Sequence, residues 1–286
     1  MTAGNHDISA AVSGGRIYVA GGLTEHWGSP PRRHAFDEIW EFQPGAAAWS
    51  TVARLSSPRI YCATVAFADE IWVLGGDTVD PNQVRQASSR VEIFAPASRT
   101  LRPGPDLPVA QPAPLALALQ DRLYVVGAGD RESPGRMDSL GTGESAWRRE
   151  PDGPAAMWAL AGAADASHLY VCVPGSGLWR YRPATRLWQA LGGPVQPRSP
   201  QVARWRDEIW ILGGRDLADG RAVWIFAPAT GRWRPGPSLP EPLAWGAAAA
   251  VDDALYLIGG AWNSSQSPNG FDYSDRIHAL RASALT

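Results

Sequence analysis

Apolar and polar positions alternate in six short runs along the chain, each closed by small residues. They are Arg16-Ile-Tyr-Val-Ala-Gly-Gly22, Glu70-Ile-Trp-Val-Leu-Gly-Gly76, Arg122-Leu-Tyr-Val-Val-Gly-Ala128, His168-Leu-Tyr-Val-Cys-Val-Pro174, Glu208-Ile-Trp-Ile-Leu-Gly-Gly214 and Ala254-Leu-Tyr-Leu-Ile-Gly-Gly260. Aliphatic and aromatic residues with a period of two predict a strand in each run. The glycine pair then permits a backbone conformation closed to residues with a Cβ. A second apolar run follows most of the pairs, as in Ile39–Phe42, Val91–Phe94, Leu178–Tyr181, Val223–Phe226 and Ile277–Leu280. Beyond it comes a turn and then a tryptophan at a fixed step of 7 residues: Phe42 to Trp49, Leu140 to Trp147, Tyr181 to Trp188 and Phe226 to Trp233. In the second repeat the same step lands on Leu101. A constant step through a hairpin implies one turn geometry and one register.

The glycine pair, the Tyr or Trp preceding it and the Trp after a short hairpin resemble the kelch repeat. That resemblance runs from about His6 to Leu280 and implies an all-β fold: a six-bladed β-propeller of four-stranded blades occupying 1–286 as a single domain. The third and fourth copies depart from the pattern, with Gly127-Ala128 and Val173-Pro174 in place of the glycine pair. Adding the step of 7 to Leu280 passes the last residue, so the sixth blade is expected to lack a full outer strand, leaving Asp275–Leu280 near an edge.

In this architecture one face carries short uniform turns such as Ala68-Asp69 and Asp252-Asp253, and the other carries the variable segments. The long ones are Leu23–Asp37, Asp77–Ser89 and Ala261–Asp275, read as loops of blades 1, 2 and 6; blade 4 has only Pro174–Gly177. Function is expected on that face, around the central channel.

Composition narrows the chemistry. The formal charge of −2 lacks the basic footprint of a nucleic-acid binder. No apolar stretch reaches the ~20 residues of a membrane helix, no leader is visible, and the cytoplasm is the expected location. All 26 basic residues are arginine, which excludes Schiff-base chemistry and lysine bases. Cys62 and Cys172 read as buried, reduced thiols.

Aligned on the repeat, the segments leading into each first strand give Asn5-His6-Asp7, Arg59-Ile60-Tyr61, Gln111, Met157-Trp158, Arg198 and Leu243-Ala-Trp245. Arg59 and Arg198 offer planar donors to a carboxylate or phosphate, and Trp158 and Trp245 offer ring faces. Alternatively, Trp158 and Trp245 plug the channel and Arg59 pairs with an acidic residue. Trp27, His34, Trp262 and Tyr273 are expected as walls. His6, with Asp7 beside it and Tyr61 nearby, is the candidate for proton transfer. His6, His26 and His34 also admit a divalent metal, although no ligand spacing supports one and no organic cofactor motif occurs. Among kelch enzymes, copper-radical oxidases need a linked Cys and Tyr, but Tyr61 and Cys62 are neighbours on one strand and point to opposite faces. Asp77 and Asp80 are too few for the carboxylate clusters of iron-dependent kelch proteins. Sialic-acid mutarotases are exported kelch propellers with longer loops. The expected function is therefore a stand-alone propeller that binds or converts an anionic or ring-bearing small molecule, as an isomerase, lyase or cyclase without organic cofactor. The alternative is a protein–protein interaction module using the same face; the absence of an adaptor domain tilts towards the small molecule.

Overall fold

The computed structural model describes residues 1, 4–26, 32–80, 82, 84–127, 135–154, 161–193, 197–215, 220–263, 271–281 and 283, without the side chains of His26 and Arg32. Among these residues the chain is all-β, and no helix is long and apolar enough to cross a membrane. It divides into two compact units, residues 1–112 with 245–286, and residues 113–244. The first holds blades 1, 2 and 6, and the second holds blades 3, 4 and 5.

Six antiparallel sheets correspond to the six repeats, each with its main strands in sequence order. Blade 1 is typical: Ala10–Ser13, Arg16–Ala20, Glu38–Phe42 and Ser50–Arg54. Blades 1 to 5 have four strands. Blade 6 has three among the described residues, Ala247–Val251, Ala254–Ile258 and Ile277–Arg281. The step of 7 is a pairing register: Tyr181 lies opposite Trp188, Phe226 opposite Trp233 and Phe94 opposite Leu101. The rings of Phe42–Trp49, Tyr181–Trp188 and Phe226–Trp233 all sit 5.1 Å apart. These half-buried indoles close the cores between blades: Trp49 packs with Phe42 and Tyr256 of blades 1 and 6, Trp188 joins blades 3 and 4, and Trp233 joins blades 4 and 5.

The three segments read as loops are β-ribbons. Leu23–His26 pairs with Arg32–Ala35, and Ala261–Asn263 pairs with Phe271–Tyr273. Asp77–Val79 pairs with Arg85–Ala87 on one side and with Arg59–Ile60 on the other. Their strands are only three or four residues long, too short for the alternation that marks a half-buried strand to stand out in the sequence. In blade 4 the strands Leu169–Val173 and Gly177–Arg182 are joined directly through a tight turn.

The glycine pairs dock against the segment that leads into a neighbouring blade. Gly22, Gly214 and Gly260 donate their N–H to the carbonyls of Arg59, Leu243 and Asn5 at 2.8–2.9 Å. At Gly213 (φ +64°) an added Cβ would sit 2.2 Å from the Leu243 carbonyl oxygen. Gly213→Ala should therefore cost on the order of 3 kcal/mol or more. Gly231→Ala, at φ +68° in open space, should cost only about 1 kcal/mol. Urea denaturation of the pair separates contact from conformation; equal losses would mean that the docking contributes nothing. Trp188→Ala should cost about 3 kcal/mol in the same assay.

Glu150 is the charged hub of the second unit. It is buried and accepts from Ser139 at 2.8 Å, Arg148 at 2.5 Å and Tyr181 at 3.1 Å, with Arg186 at 3.2 Å. Burial alone would raise its carboxyl, but these donors outweigh it and hold the group below its ordinary value of 4.5. A depressed carboxylate stabilises the fold above the unfolded value and loses that contribution as pH falls through the folded one. Acid unfolding followed by circular dichroism should thus show stability falling below about pH 4.5, with a flatter fall in Glu150→Gln.

Candidate functional site

The segment Asn5–Asp7 is bonded into its surroundings at every residue. Asn5 N–H donates to Ser274 at 3.2 Å, and His6 and Leu23 exchange two backbone hydrogen bonds at 3.1 and 3.0 Å. Asp7 N–H donates to the Trp245 carbonyl at 2.8 Å, and the Asp7 carbonyl accepts from Tyr61 N–H at 3.0 Å. Asp7, Tyr61 and Trp245 have φ of 60°, 57° and 57°, a left-handed conformation that is rare for such side chains. The inter-blade bonds hold them there, at equivalent places in three repeats, and this fixes the direction of their side chains.

His6 is buried, and its Nδ1 lies 3.1 Å from Asp7 Oδ2. Its ring stacks on Tyr273 at 4.8 Å and 23°. Tyr273 donates its hydroxyl to Glu25 at 2.6 Å, and Glu25 also receives Arg33 Nε at 2.6 Å. With Nδ1–H given to Asp7, a neutral imidazole keeps its lone pair on Nε2, and that atom is buried with no hydrogen-bond partner among the described residues. Arg85 stands 5.8 Å from the centre of the Tyr61 ring, and Asp7 and Arg85 both act electrostatically on its phenol. Burial, with Asp7 adding to it, pushes this phenol above its ordinary value of 10.0, so it remains an O–H donor at neutral pH. Burial likewise raises the Asp77 carboxyl, with Arg85 opposing the rise and Asp7 adding to it. The cluster is thus a buried imidazole, a carboxylate that orients it, a protonated phenol on the same carboxylate and a stacked aromatic wall. It can accept one proton and donate another.

His6, Asp7, Tyr61 and Tyr273 come together as the sequence implied, and Trp245 joins through its carbonyl, its ring standing edge-on to Phe271 at 5.6 Å. Arg59 does not, and here the structure corrects the expectation of an anion-binding group. Its side chain is fully buried, paired with Glu92, and donates to the Arg90 and Gly75 carbonyls at 2.9 and 3.4 Å. Its second alternative, pairing with an acidic residue, is the observed one. Trp262 is also corrected as a wall: alternation along its ribbon sets it opposite Asp272, on the other face from Tyr273. His34 is exposed and packs edge-on against Phe36 at 4.9 Å, away from any contact with His6. Arg198 is exposed in the second unit. Trp27, Trp158 and the His26 side chain lie outside the described residues, and among the described ones no three His, Cys, Asp or Glu side chains gather as metal ligands. Both cysteines are free and buried, which pushes Cys62 up to about 11 and Cys172 to about 12 and leaves neither as a thiolate near neutrality. Arg85 is the residue that sequence reasoning missed, and Asp77 was weighed there only as a member of a carboxylate cluster; the signal available was the paired alternation Asp77-x-Val79 and Arg85-x-Ala87.

Because Arg59 neutralises Glu92 inside the protein, removing either partner leaves a buried charge alone. Glu92→Gln should lower stability by about 3–5 kcal/mol in chemical denaturation. A loss under 1 kcal/mol would return Arg59 to the list of groups available to a ligand.

No family model matches the chain. It is 26% identical over 262 residues to Kelch-like protein 36 of Rattus norvegicus, an alignment covering 84% of this chain and 41% of that protein. The chain therefore spans about two-fifths of the length of that relative. It is 22% identical over 300 residues to the N-acetylneuraminate epimerase of Yersinia enterocolitica, covering 88% of this chain and 70% of the relative. In fold it resembles the solved structure of YjhT, with a TM-score of 0.76 over 99% of this chain and 97% of that one at 11% identity.

Proposed function

The chain belongs to the kelch repeat family and has its all-β propeller fold, and from that premise we propose that it binds and converts a cyclic sugar acid by acid/base chemistry at His6, Asp7 and Tyr61. The observation that carries this reading is the buried, unpartnered Nε2 of an imidazole whose other nitrogen is anchored on Asp7. The likeness to an N-acetylneuraminate epimerase supports the substrate class. Ring opening and reclosure at a hemiketal carbon needs one proton taken from the ring hydroxyl and one given to the ring oxygen. His6 Nε2 takes the first and the Tyr61 phenol gives the second. Asp7 stabilises the imidazolium and accepts from the phenol before transfer. Reclosure on the other face of the planar carbonyl returns both protons, so no oxidant, reductant or organic cofactor is consumed. The aromatic face of Tyr273 holds the imidazole in place.

Exchange NMR of the anomers of N-acetylneuraminate and related sugar acids tests the reading. The wild-type protein should accelerate exchange. His6→Gln should reduce turnover by about 10²–10⁴-fold with binding changed only a few-fold, and Tyr61→Phe should follow it. No acceleration and no binding of any sugar acid would overturn the reading.

One observation favours a second reading, an interaction module. Kelch-like protein 36 is matched over most of this chain, and a ribbon of blade 2 carries an exposed apolar side chain, Val84, at 61% exposure. On that reading the ribbons grip a protein segment, and His6→Gln would leave its affinity unchanged.

A further inference from the structure

Arginine is used in this protein chiefly to close ion pairs. Arg16 meets Glu41 at 2.8 Å, Arg54 meets Asp37 at 2.6 Å, Arg102 meets Glu70 at 2.6 Å, Arg136 meets Asp138 at 2.5 Å and Arg234 meets Glu208 at 2.6 Å. Arg85 is different. It is exposed on the Arg85–Ala87 strand of the blade 2 ribbon, and no carboxylate of the described residues lies within ion-pair distance of it. Its guanidinium instead stands 5.8 Å from the centre of the Tyr61 ring.

The ribbon register explains the placement. Asp77 lies opposite Ala87 and Val79 opposite Arg85, so all four share one face, and Asp77 is also paired with Ile60, the residue before Tyr61. That face therefore carries a cation beside the phenol that shares Asp7 with His6. Two carboxylates, Asp7 and Asp77, stand close enough to influence each other, against one guanidinium with no carboxylate partner. An anionic group entering beside Tyr61 meets these two carboxylates and the Arg85 guanidinium.

We propose that Arg85 anchors the carboxylate of the ligand over Tyr61 and makes the site selective for monoanionic acids over their neutral counterparts. This rests on the sugar-acid reading above and replaces Arg59 in the role the sequence suggested. Arg85 is a binding residue: it positions the carbon beside the carboxylate for His6 and Tyr61 and moves no proton itself. A planar fork suits a carboxylate, whereas lysine supplies only a point charge.

The test is calorimetric, with N-acetylneuraminate and its methyl ester as probes, on wild type, Arg85→Ala and Arg85→Lys. Wild type should prefer the acid. Arg85→Ala should weaken the acid by about 10–100-fold and leave the ester unchanged, so that the acid-to-ester ratio approaches one. Arg85→Lys should recover part of the preference. Thermal midpoints should not move, since the side chain is exposed. An acid-to-ester ratio in Arg85→Ala equal to that of wild type overturns the assignment while leaving the sugar-acid reading intact. Failure of the wild-type protein to bind the acid overturns both.

Discussion

The contact on which the rest depends is the pressing of a glycine pair against the backbone that leads into a neighbouring blade. Ideal Cβ atoms at Gly21, Gly213 and Gly259 would lie 2.2–2.3 Å from the carbonyl oxygens of Arg59, Leu243 and Asn5. No side chain fits there, and the left-handed φ of the first glycine excludes most residues independently. The accepting segment is held so closely that the residue two places further on turns left-handed as well: Tyr61 after Arg59, Trp245 after Leu243, Asp7 after Asn5. Where repeats meet, the same backbone geometry thus does two jobs. It joins blade to blade, and it sets the directions of the side chains that make the site.

Charge is divided along the same line. Inside the fold, arginine neutralises carboxylates that would otherwise be stranded, as Arg59 does for Glu92 and Arg148 and Arg186 do for Glu150. A chain without lysine uses guanidinium for this work, and its several donors satisfy a carboxylate and nearby carbonyls together, as Arg59 does with the Arg90 and Gly75 carbonyls. On the ribbons, Arg33 meets Glu25 at 2.6 Å, whereas no carboxylate of the described residues lies within ion-pair distance of Arg85.

Much of the fold was legible in the sequence because the repeat constrains it many times over. The alternating runs, the glycine pairs and the step of 7 each report a spacing, and a spacing survives the divergence of individual residues. The site was less legible. His6, Asp7, Tyr61 and Tyr273 could be aligned to the functional face, but alignment gives a position and not a partner. Arg59 and Tyr61 are two residues apart on one segment, yet one is fully buried against Glu92 and the other reaches Asp7 and Arg85. Burial of Arg59 depends on Glu92, 33 residues away and on another strand, and no local pattern encodes that pairing. The ribbons were missed for a related reason: strands such as Arg32–Ala35, only four residues long, are held by backbone bonds that side-chain periodicity does not record.

The choice between catalysis and mere binding turns on what a protein gains from a buried nitrogen without a partner. Leaving such an atom unsatisfied costs about 1–3 kcal/mol, and a surface that only grips a peptide recovers none of it. Gln111 and Gln201 also carry buried, unpartnered side-chain atoms, but an amide neither takes nor gives a proton. An imidazole can do both, and that of His6 is bonded through its backbone, 3.1 Å from Asp7 at Nδ1 and stacked on one face, with Nε2 buried and unpartnered among the described residues. A binding module would be as stable, or more so, with an asparagine or a leucine in that place. Restraining an ionisable ring on every side but one is useful when a proton must pass at that one atom, and this is why the arrangement favours the catalytic reading over the adhesive one.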